Sequence, residues 1–315
     1  MAFTDHYIQM DKGSCSVGWF ALILCYSPLA LTQGLSIDSG PNNIITITAK
    51  GSEDFGFQLE SSTDGIEWIR ASDHAVGHHV FPLSTESQSH AMYRLRVWEL
   101  PWDPIRLVII GDSTIANFNV VYGNSGGWGQ AIPDLFTQDI TIANQAQPGV
   151  STKVFMETPI FLHNLLLSKP DFVLLHFGYM DAHSQRDHIR TTPEEFRENI
   201  TILVEEIRNI GGTPILCTPV TTTAFTREKL RPLLSTHSET IRQLAIELGC
   251  SLMDVYEVSF KLFQELGPQG TLQYQGGEND QLHFNEAGAK AVAALTAPLF
   301  PPFLKAYQRE SKSSQ

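Results

Sequence analysis

The chain is poor in charge, and poorest in positive charge. Charged side chains make up 17% of its 315 residues, with 21 Lys and Arg against 34 Asp and Glu and a formal net charge of −13. Phosphate backbones are held by clustered Lys and Arg, so this balance argues against nucleic acid as a partner. It argues equally against docking on anionic lipid. Acidic polysaccharide stays open, because a local basic patch suffices to bind it. Cysteine is scarce. The four are Cys15, Cys25, Cys217 and Cys250, and their spacing fits no zinc or redox motif. Cys217 ends one predicted strand and Cys250 begins another, which reads as buried free thiols, with a disulfide between neighbouring strands as the alternative. There is no internal repeat and no Gly-x-Gly-x-x-Gly, so the dinucleotide fingerprint is missing. The apolar run at residues 17–32 is shorter than the roughly 20 residues of a membrane span. It reads as the core of a secretory signal peptide, with Met10 as an alternative start and cleavage near residues 32–35. An uncleaved N-terminal anchor is the other reading. Residues 1–33 are thus expected to be a signal peptide or hydrophobic segment. The mature protein is expected to be secreted or in the cell envelope or periplasm, with no stable membrane partner.

What is present is an ordinary globular composition, 42% hydrophobic, in a chain long enough for one large domain and one small one. Residues 35–43 read as a linker. Residues 44–100 look all-β, with alternating or β-branched runs at 44–48, 57–62, 67–69 and 92–98 and a turn at Thr63-Asp64-Gly65. This stretch loosely resembles the fibronectin-III-like sandwiches appended to secreted bacterial enzymes. Its aromatics Trp68, Phe81, Tyr93 and Trp98 read as core, with a sugar platform as the alternative.

From Arg106 onward strands alternate with helices. Strands are predicted at 106–111, 139–145, 171–177, 213–219 and 250–255, and helices near 127–137, 151–168, 193–210, 227–248 and 285–300. Pro193 after Thr192 marks a helix start and Gly211-Gly212 a stop. The alternation implies a parallel sheet with helices on both faces over residues 106–305, followed by a polar tail at 306–315. Ligands of such sheets bind at the carboxyl ends of the strands. Ser113, Gly149 and Gly178 all follow predicted strands and converge on that edge.

Two motifs carry chemistry. Gly111-Asp112-Ser113-Thr114 directly follows the apolar run Leu107-Val108-Ile109-Ile110, and Asp280-Gln281-Leu282-His283 precedes the final helix. A serine on a tight strand-to-helix turn needs a base beside it to act as a nucleophile. A histidine three residues after an aspartate can be that base, with the carboxylate fixing its tautomer. Each motif has a bland alternative. Gly-Asp-Ser is a common turn, and Asp280 followed by Asn285 could serve only to cap the last helix.

Taken with Gly127-Trp128-Gly129-Gln130, Asn144-Gln145-Ala146-Gln147-Pro148-Gly149-Val150-Ser151 and Phe177-Gly178, these motifs resemble the SGNH (GDSL-type) hydrolases. The order is the family's, and the nearest subgroup is the rhamnogalacturonan acetylesterase-like carbohydrate esterases. The resemblance covers roughly residues 106–305. It implies a three-layer α/β/α, flavodoxin-like domain preceded by a small all-β sandwich-like one. It implies acyl transfer by Ser113 as nucleophile, His283 as general base and Asp280 as its orienter, without a cofactor or metal. The oxyanion donors it implies are the backbone N–H groups of Ser113 and Gly149. The third donor departs from the pattern. Where the family has Gly-x-Asn-Asp, this chain has Gly178-Tyr179-Met180-Asp181, and a thioether cannot donate. Activity is then low, or Asn117 or Tyr179 supplies the donor, or the domain only binds.

Other polar residues have quieter readings. His176 reads as a satisfied histidine at the core, Asp112 as a brace for the turn, Asn144 as a loop pin and Trp128 as packing. His183, Asp187 and His188 read as a solvated loop, with a metal site as the alternative. The expected substrate is an acetylated polysaccharide, rhamnogalacturonan-type first, or a small ester. The rivals are a short-chain lipid esterase or thioesterase of the same fold and a catalytically decayed carbohydrate-binding protein.

Overall fold

The computed structural model describes residues 105–309 apart from 118–124 and 184. Before them it describes the segments 4–9, 21–26, 35–39, 44–49, 55–62, 69–76, 79–84 and 92–99. The chain divides into two compact units, Met1–Trp102 with Pro302–Ala306, and Asp103–Pro301 with Tyr307–Gln315.

The described part of the first unit is built on strands β1 (Thr4–Gln9), β2 (Ala21–Tyr26), β3 (Leu35–Ser39), β4 (Ile44–Ala49), β5 (Phe55–Ser62), β6 (Ile69–Arg70), β7 (Ala75–Val76), β8 (His79–Ser84) and β9 (Met92–Glu99). They form two sheets, one in the order β1-β2-β9-β5-β6 with β7 also on β5, the other β3-β4-β8. Alternation explains the buried faces. Phe57 and Leu59 of β5, with Tyr93 and Leu95 of β9, are buried in one sheet, and Ile47 and Phe81 in the other. Phe81 and Tyr93 are therefore core residues, while the side chains of Trp68 and Trp98 lie outside the described residues. Two segments differ from the sequence reading. Leu35–Ser39, expected to begin a linker, is a strand whose Ile37 sits opposite Ile47. Its apolar alternation outweighs the turn residues that follow it. Ala21–Tyr26, inside the apolar run read as a leader, is a strand between β1 and β9.

The second unit is a three-layer α/β/α domain. Its sheet is made of β10 (Ile105–Gly111), β11 (Ile140–Asn144), β12 (Phe172–His176), β13 (Thr213–Cys217) and β16 (Ser251–Met253). The spatial order is β11-β10-β12-β13-β16, and every neighbouring pair is parallel. This is the flavodoxin-like order, whose direction of winding reverses between β10 and β12. A small antiparallel hairpin, β14 (Phe225–Thr226) and β15 (Lys229–Leu230), lies outside the sheet.

Side chains alternate through the sheet, and both faces are apolar because both are covered. Val108, Ile110, Val173, Leu175 and Leu216 pack against Phe155, Phe196, Ile200, Leu203, Ile241 and Leu244. Those partners come from α1 (Thr152–Glu157), α4 (Pro193–Asn209) and α5 (Ser235–Glu247), with α2 (Pro159–Leu167) alongside. The opposite-facing Leu107, Ile109, Leu174 and Ile215 are equally buried. The remaining helices described in this unit are the short α3 (Tyr179–His183), α6 (Val255–Thr271) and α7 (Glu286–Thr296), with 3-10 helices at Trp128–Leu135, Leu272–Tyr274 and Ala297–Leu299. Helix α4 begins where its sequence says. Thr192 caps it in a reciprocal pair with Glu195, and Pro193 occupies the first turn. Cys217 and Cys250 are buried thiols, not joined in a disulfide, and burial pushes the Cys217 thiol well up.

Besides the short α3, two features were not foreseen. Helix α6 follows β16 where no helix was expected. Gly267, with φ 67°, and Pro268 kink it, and that pair reads as a breaker in the sequence. The segment 227–234, expected to be helical, instead holds β15 and a turn before α5 starts at Ser235. Pro232 explains the late start.

Candidate active site

Ser113 sits on the turn that leaves β10, at the carboxyl edge where the sheet reverses its winding. Buried Asp112 sets that turn. Its Oδ1 accepts from the Thr114 N–H at 2.9 Å and the Thr114 hydroxyl at 2.6 Å. Its Oδ2 accepts from the Tyr179 N–H at 3.1 Å. One carboxylate thus ties the loop after β10 to the loop after β12. A second bed lies behind the turn. A Cβ on Gly127 would stand 2.3 Å from the Ile115 carbonyl carbon, and one on Gly129 2.2 Å from the Ile115 oxygen. The backbone can approach this closely only without side chains. Asn144 adds a third tie, donating to the Ile115 carbonyl at 2.8 Å and to Asn117 Oδ1 at 2.9 Å.

His283 arrives from the other end of the domain. Phe284, fully buried, anchors it, exchanging backbone hydrogen bonds with Gly126 at 3.0 and 2.9 Å. The Gly276 N–H donates to the His283 carbonyl at 2.9 Å. Phe263 of α6 stands 5.9 Å from the Phe284 ring, so the unforeseen helix backs the histidine loop. Asp280 Oδ1 accepts from the N–H groups of Leu282 at 3.1 Å and His283 at 2.9 Å. Its Oδ2 is 3.1 Å from His283 Nδ1, and His283 Nε2 is 2.9 Å from Ser113 Oγ. Burial alone would raise the Asp280 carboxyl. The His283 and Leu282 amides and the imidazole outweigh it and hold the carboxyl below its ordinary value. An ionised Asp280 accepts a hydrogen bond from a protonated Nδ1, which leaves the Nε2 lone pair facing the serine hydroxyl. Asn285, not Asp280, caps α7, accepting from the Gly288 N–H at 2.9 Å.

Ser113, Gly149, Met180, Asp280 and His283 all line one cavity of about 700 Å³, together with Asn117 and Arg186. Gly149 has φ 81°, a conformation natural to glycine. Among the described residues, neither the Ser113 nor the Gly149 backbone N–H has a hydrogen-bond acceptor in the protein. Both remain available as donors. Met180 brings its thioether to the same cavity. With Oδ1 taken by Asn144, Asn117 keeps its amide N–H groups as donors. Among the described residues, no group of three His, Cys, Asp or Glu side chains is arranged to hold a metal. Asp187 pairs with Arg190 at 2.9 Å on the surface, and the His183 side chain lies outside the described residues.

Two buried groups brace the site in ways that spacing alone did not reveal. His176 Nε2 accepts from Trp128 Nε1 at 3.3 Å and from the Val220 N–H at 3.0 Å. The ring is therefore neutral, with its proton on Nδ1 facing Thr114 Oγ1 at 3.5 Å. Asp181, next to Met180, accepts from the Thr152 N–H at 3.1 Å and from the hydroxyls of Thr152 and Thr191. It fastens α3 to the start of α1, a few residues after Gly149.

Burial pushes His176 down to about 4, against the nearby charge of Asp112. Burial pushes Asp181 up to about 7, against the donors from Thr152 and Thr191 and with help from Asp112. The signs oppose. The unfolded chain binds the His176 proton between about 4 and 6.5, so that group's stabilisation grows with rising pH and is complete above 6.5. The folded chain binds the Asp181 proton between about 3.8 and 7, so its stabilisation is lost as pH rises through that window. Each effect is worth a few kcal/mol at about 1.4 kcal/mol per pKa unit, and over their shared window they largely cancel. Asp181→Asn should unmask the histidine. Its Tm should climb more steeply than that of wild type between about pH 4.5 and 6.5. Parallel Tm profiles would show that Asp181 does not hold a proton in the folded state.

The GDSL-like lipase/acylhydrolase family model matches residues 109–291. The rhamnogalacturonan acetylesterase RhgT of Bacillus subtilis is 26% identical over 211 residues, covering 62% of this chain and 88% of that protein. The probable rhamnogalacturonan acetylesterase YesY of the same organism is 28% identical over 196 residues, covering 61% and 90%. Among solved structures, Bacillus subtilis protein YXIM aligns with a TM-score of 0.54 at 20% identity, over 86% of this chain and 90% of that one. An Axe2 mutant, an acetyl-xylooligosaccharide esterase from Geobacillus, aligns at 0.50 and 17% identity, over 68% and 98%. These two structures are likenesses of fold. The family match spans more than half of the chain and contains Ser113, Gly149, Met180, Asp280 and His283. The chain belongs to the GDSL-like lipase/acylhydrolase family and is a carboxylic ester hydrolase.

Proposed function

We propose that this protein is a serine esterase that removes O-acetyl groups from polysaccharide, with rhamnogalacturonan-type pectin as the first substrate to test. The observation that carries the reading is the continuous path from Asp280 Oδ2 through both nitrogens of His283 to Ser113 Oγ, at 3.1 and 2.9 Å. In this reading His283 Nε2 takes the serine proton as Oγ bonds to the ester carbonyl carbon. The Ser113 and Gly149 amides receive the oxyanion. Collapse breaks the bond to the sugar oxygen, which leaves as a hydroxyl with the proton from His283, and water then releases acetate from the acetyl-serine by the same steps. The sugar ester is supported by the names of the two Bacillus relatives.

The test is acetate release from a panel of acetylated polysaccharides, with p-nitrophenyl acetate as a small ester. Ser113→Ala and His283→Ala should each lose at least about a thousandfold in kcat, with melting curves unchanged. Wild-type turnover in either variant would remove the assignment.

Met180 favours a second outcome, a domain that binds sugar esters but turns them over slowly. If the site is otherwise complete, Met180→Asn should supply the third oxyanion donor and raise kcat rather than lower KM. The gain is bounded at about 3 kcal/mol, the usual worth of one such donor. A folded variant with flat or reduced kcat would show that another group, such as Asn117, already fills the role.

The same reading places the enzyme outside the cytoplasm, supported by the apolar run at residues 17–32. Among the described residues, no helix is long and apolar enough to cross a membrane. Processing near residues 32–35 would remove β1 and β2 and leave β9 paired with β5 alone. N-terminal sequencing of exported protein should find a start near those positions. An intact Met1 or Met10 on soluble protein would count against that cleavage.

A further inference from the structure

A second cavity lies across the loop that carries Asp280. Its volume is about 520 Å³, and Phe225, Arg227, Gln269, Leu272, Glu278 and Asn279 are in its wall. The loop divides its residues between the two cavities. Glu278, Asn279 and Gln281 face the second, while Asp280, Leu282 and His283 face the first. One short segment is therefore the partition between Ser113 and this space.

The cavity is built and fastened. Thr223 donates its N–H, at 2.8 Å, and its hydroxyl to the Gln281 carbonyl, and Gln275 donates to Thr223 Oγ1 at 2.8 Å. Gln264 of α6 clamps the hairpin, accepting from the Leu230 N–H and donating to the Glu228 carbonyl, each at 3.0 Å. The backbone is also unusual here. Among the described residues, three non-glycine residues adopt left-handed φ: Lys169, Arg227 and Asn279. Two of the three line this cavity. Arg227 holds φ 56° at the hairpin turn and Asn279 φ 66° beside Asp280. Such conformations cost energy and persist where the surroundings impose them, often at binding sites. The catalytic steps use neither residue.

We propose that this cavity is a carbohydrate subsite, which holds a neutral sugar unit of the same chain whose ester lies at Ser113. The inference rests on the sugar-esterase reading and adds to it a place for the polymer. Phe225 offers a ring for the C–H face of a pyranose. Arg227, Gln269, Glu278 and Asn279 supply planar donors and acceptors suited to hydroxyl groups. A cation and a carboxylate occur together in the wall, which suits a neutral unit better than a charged one. Because the partition carries Asp280, a chain bound on both sides spans the loop that positions the base.

The experiment compares wild type, Phe225→Ala and Arg227→Gly on p-nitrophenyl acetate and on an acetylated oligosaccharide long enough to leave the first cavity. Glycine accepts the left-handed φ at position 227 without strain, so that variant keeps the hairpin. The small ester cannot reach the second cavity, and its turnover reports an intact Ser113 site in each preparation. KM for the oligosaccharide should rise about tenfold in each variant at unchanged kcat, the mark of lost uniform binding. Wild-type KM in both variants, with acetate still released, would overturn the subsite and leave the esterase reading standing. Cleavage of p-nitrophenyl acetate by wild type with no acetate from any oligosaccharide would overturn the sugar reading and the subsite with it.

Discussion

The sheet edge is organised by one buried carboxylate. Asp112 spends one oxygen on the serine turn and the other on the loop after β12. Parallel strands bring these loops side by side but do not fix how they stand relative to each other. A fully buried carboxylate demands donors, because leaving its lone pairs unmet inside the protein costs several kcal/mol. Here the donors come from both loops, so meeting that demand sets the distance between Ser113 and Met180. His176 extends the arrangement downward through Thr114, and Trp128 closes it from beneath. Asp181 does a parallel service on the far side, joining α3 to α1. The site is thus a set of loops cross-braced by buried polar groups above an apolar sheet.

Much of this was legible in the sequence, for identifiable reasons. The five sheet strands were found within a few residues because each is a short apolar run bounded by turn residues. Helix α4 was legible because Thr192, Pro193 and Glu195 spell its start. Ser113 and His283 stood out because their motifs flank strand and helix signals. Helix α6 was missed because Gly267 and Pro268 interrupt it, and a local reading gives those residues more weight than the packing of Phe263 on Phe284. The roles of Asp181 and of the Gly126 to Phe284 bridge were invisible because they join residues far apart in the chain. Strand β3 was hidden by its neighbours Gly40, Pro41 and Asn42, which coloured the whole stretch as linker.

The two buried ionisable groups show how a site can carry titratable residues without making the fold acutely sensitive to pH. His176 and Asp181 are both perturbed by burial, yet burial opposes the charged form of each, and those forms appear on opposite sides of the titration. A proton that the folded chain declines at one group it accepts at the other. Asp112 is a neighbour of both, and its charge raises the affinity of each for a proton.

The contact between His283 and Ser113 joins residues 170 positions apart. The sheet needs nothing beyond β16, which ends at Met253, so its strands are all synthesised before the histidine exists. Chains emerge from the amino end, and a domain folds as a unit. Until residue 283 is made, the chain therefore holds Ser113 without the histidine that stands 2.9 Å from its hydroxyl. A serine hydroxyl with no base beside it is a poor nucleophile. A chain cut anywhere between Ser113 and His283 keeps the serine and loses that partner.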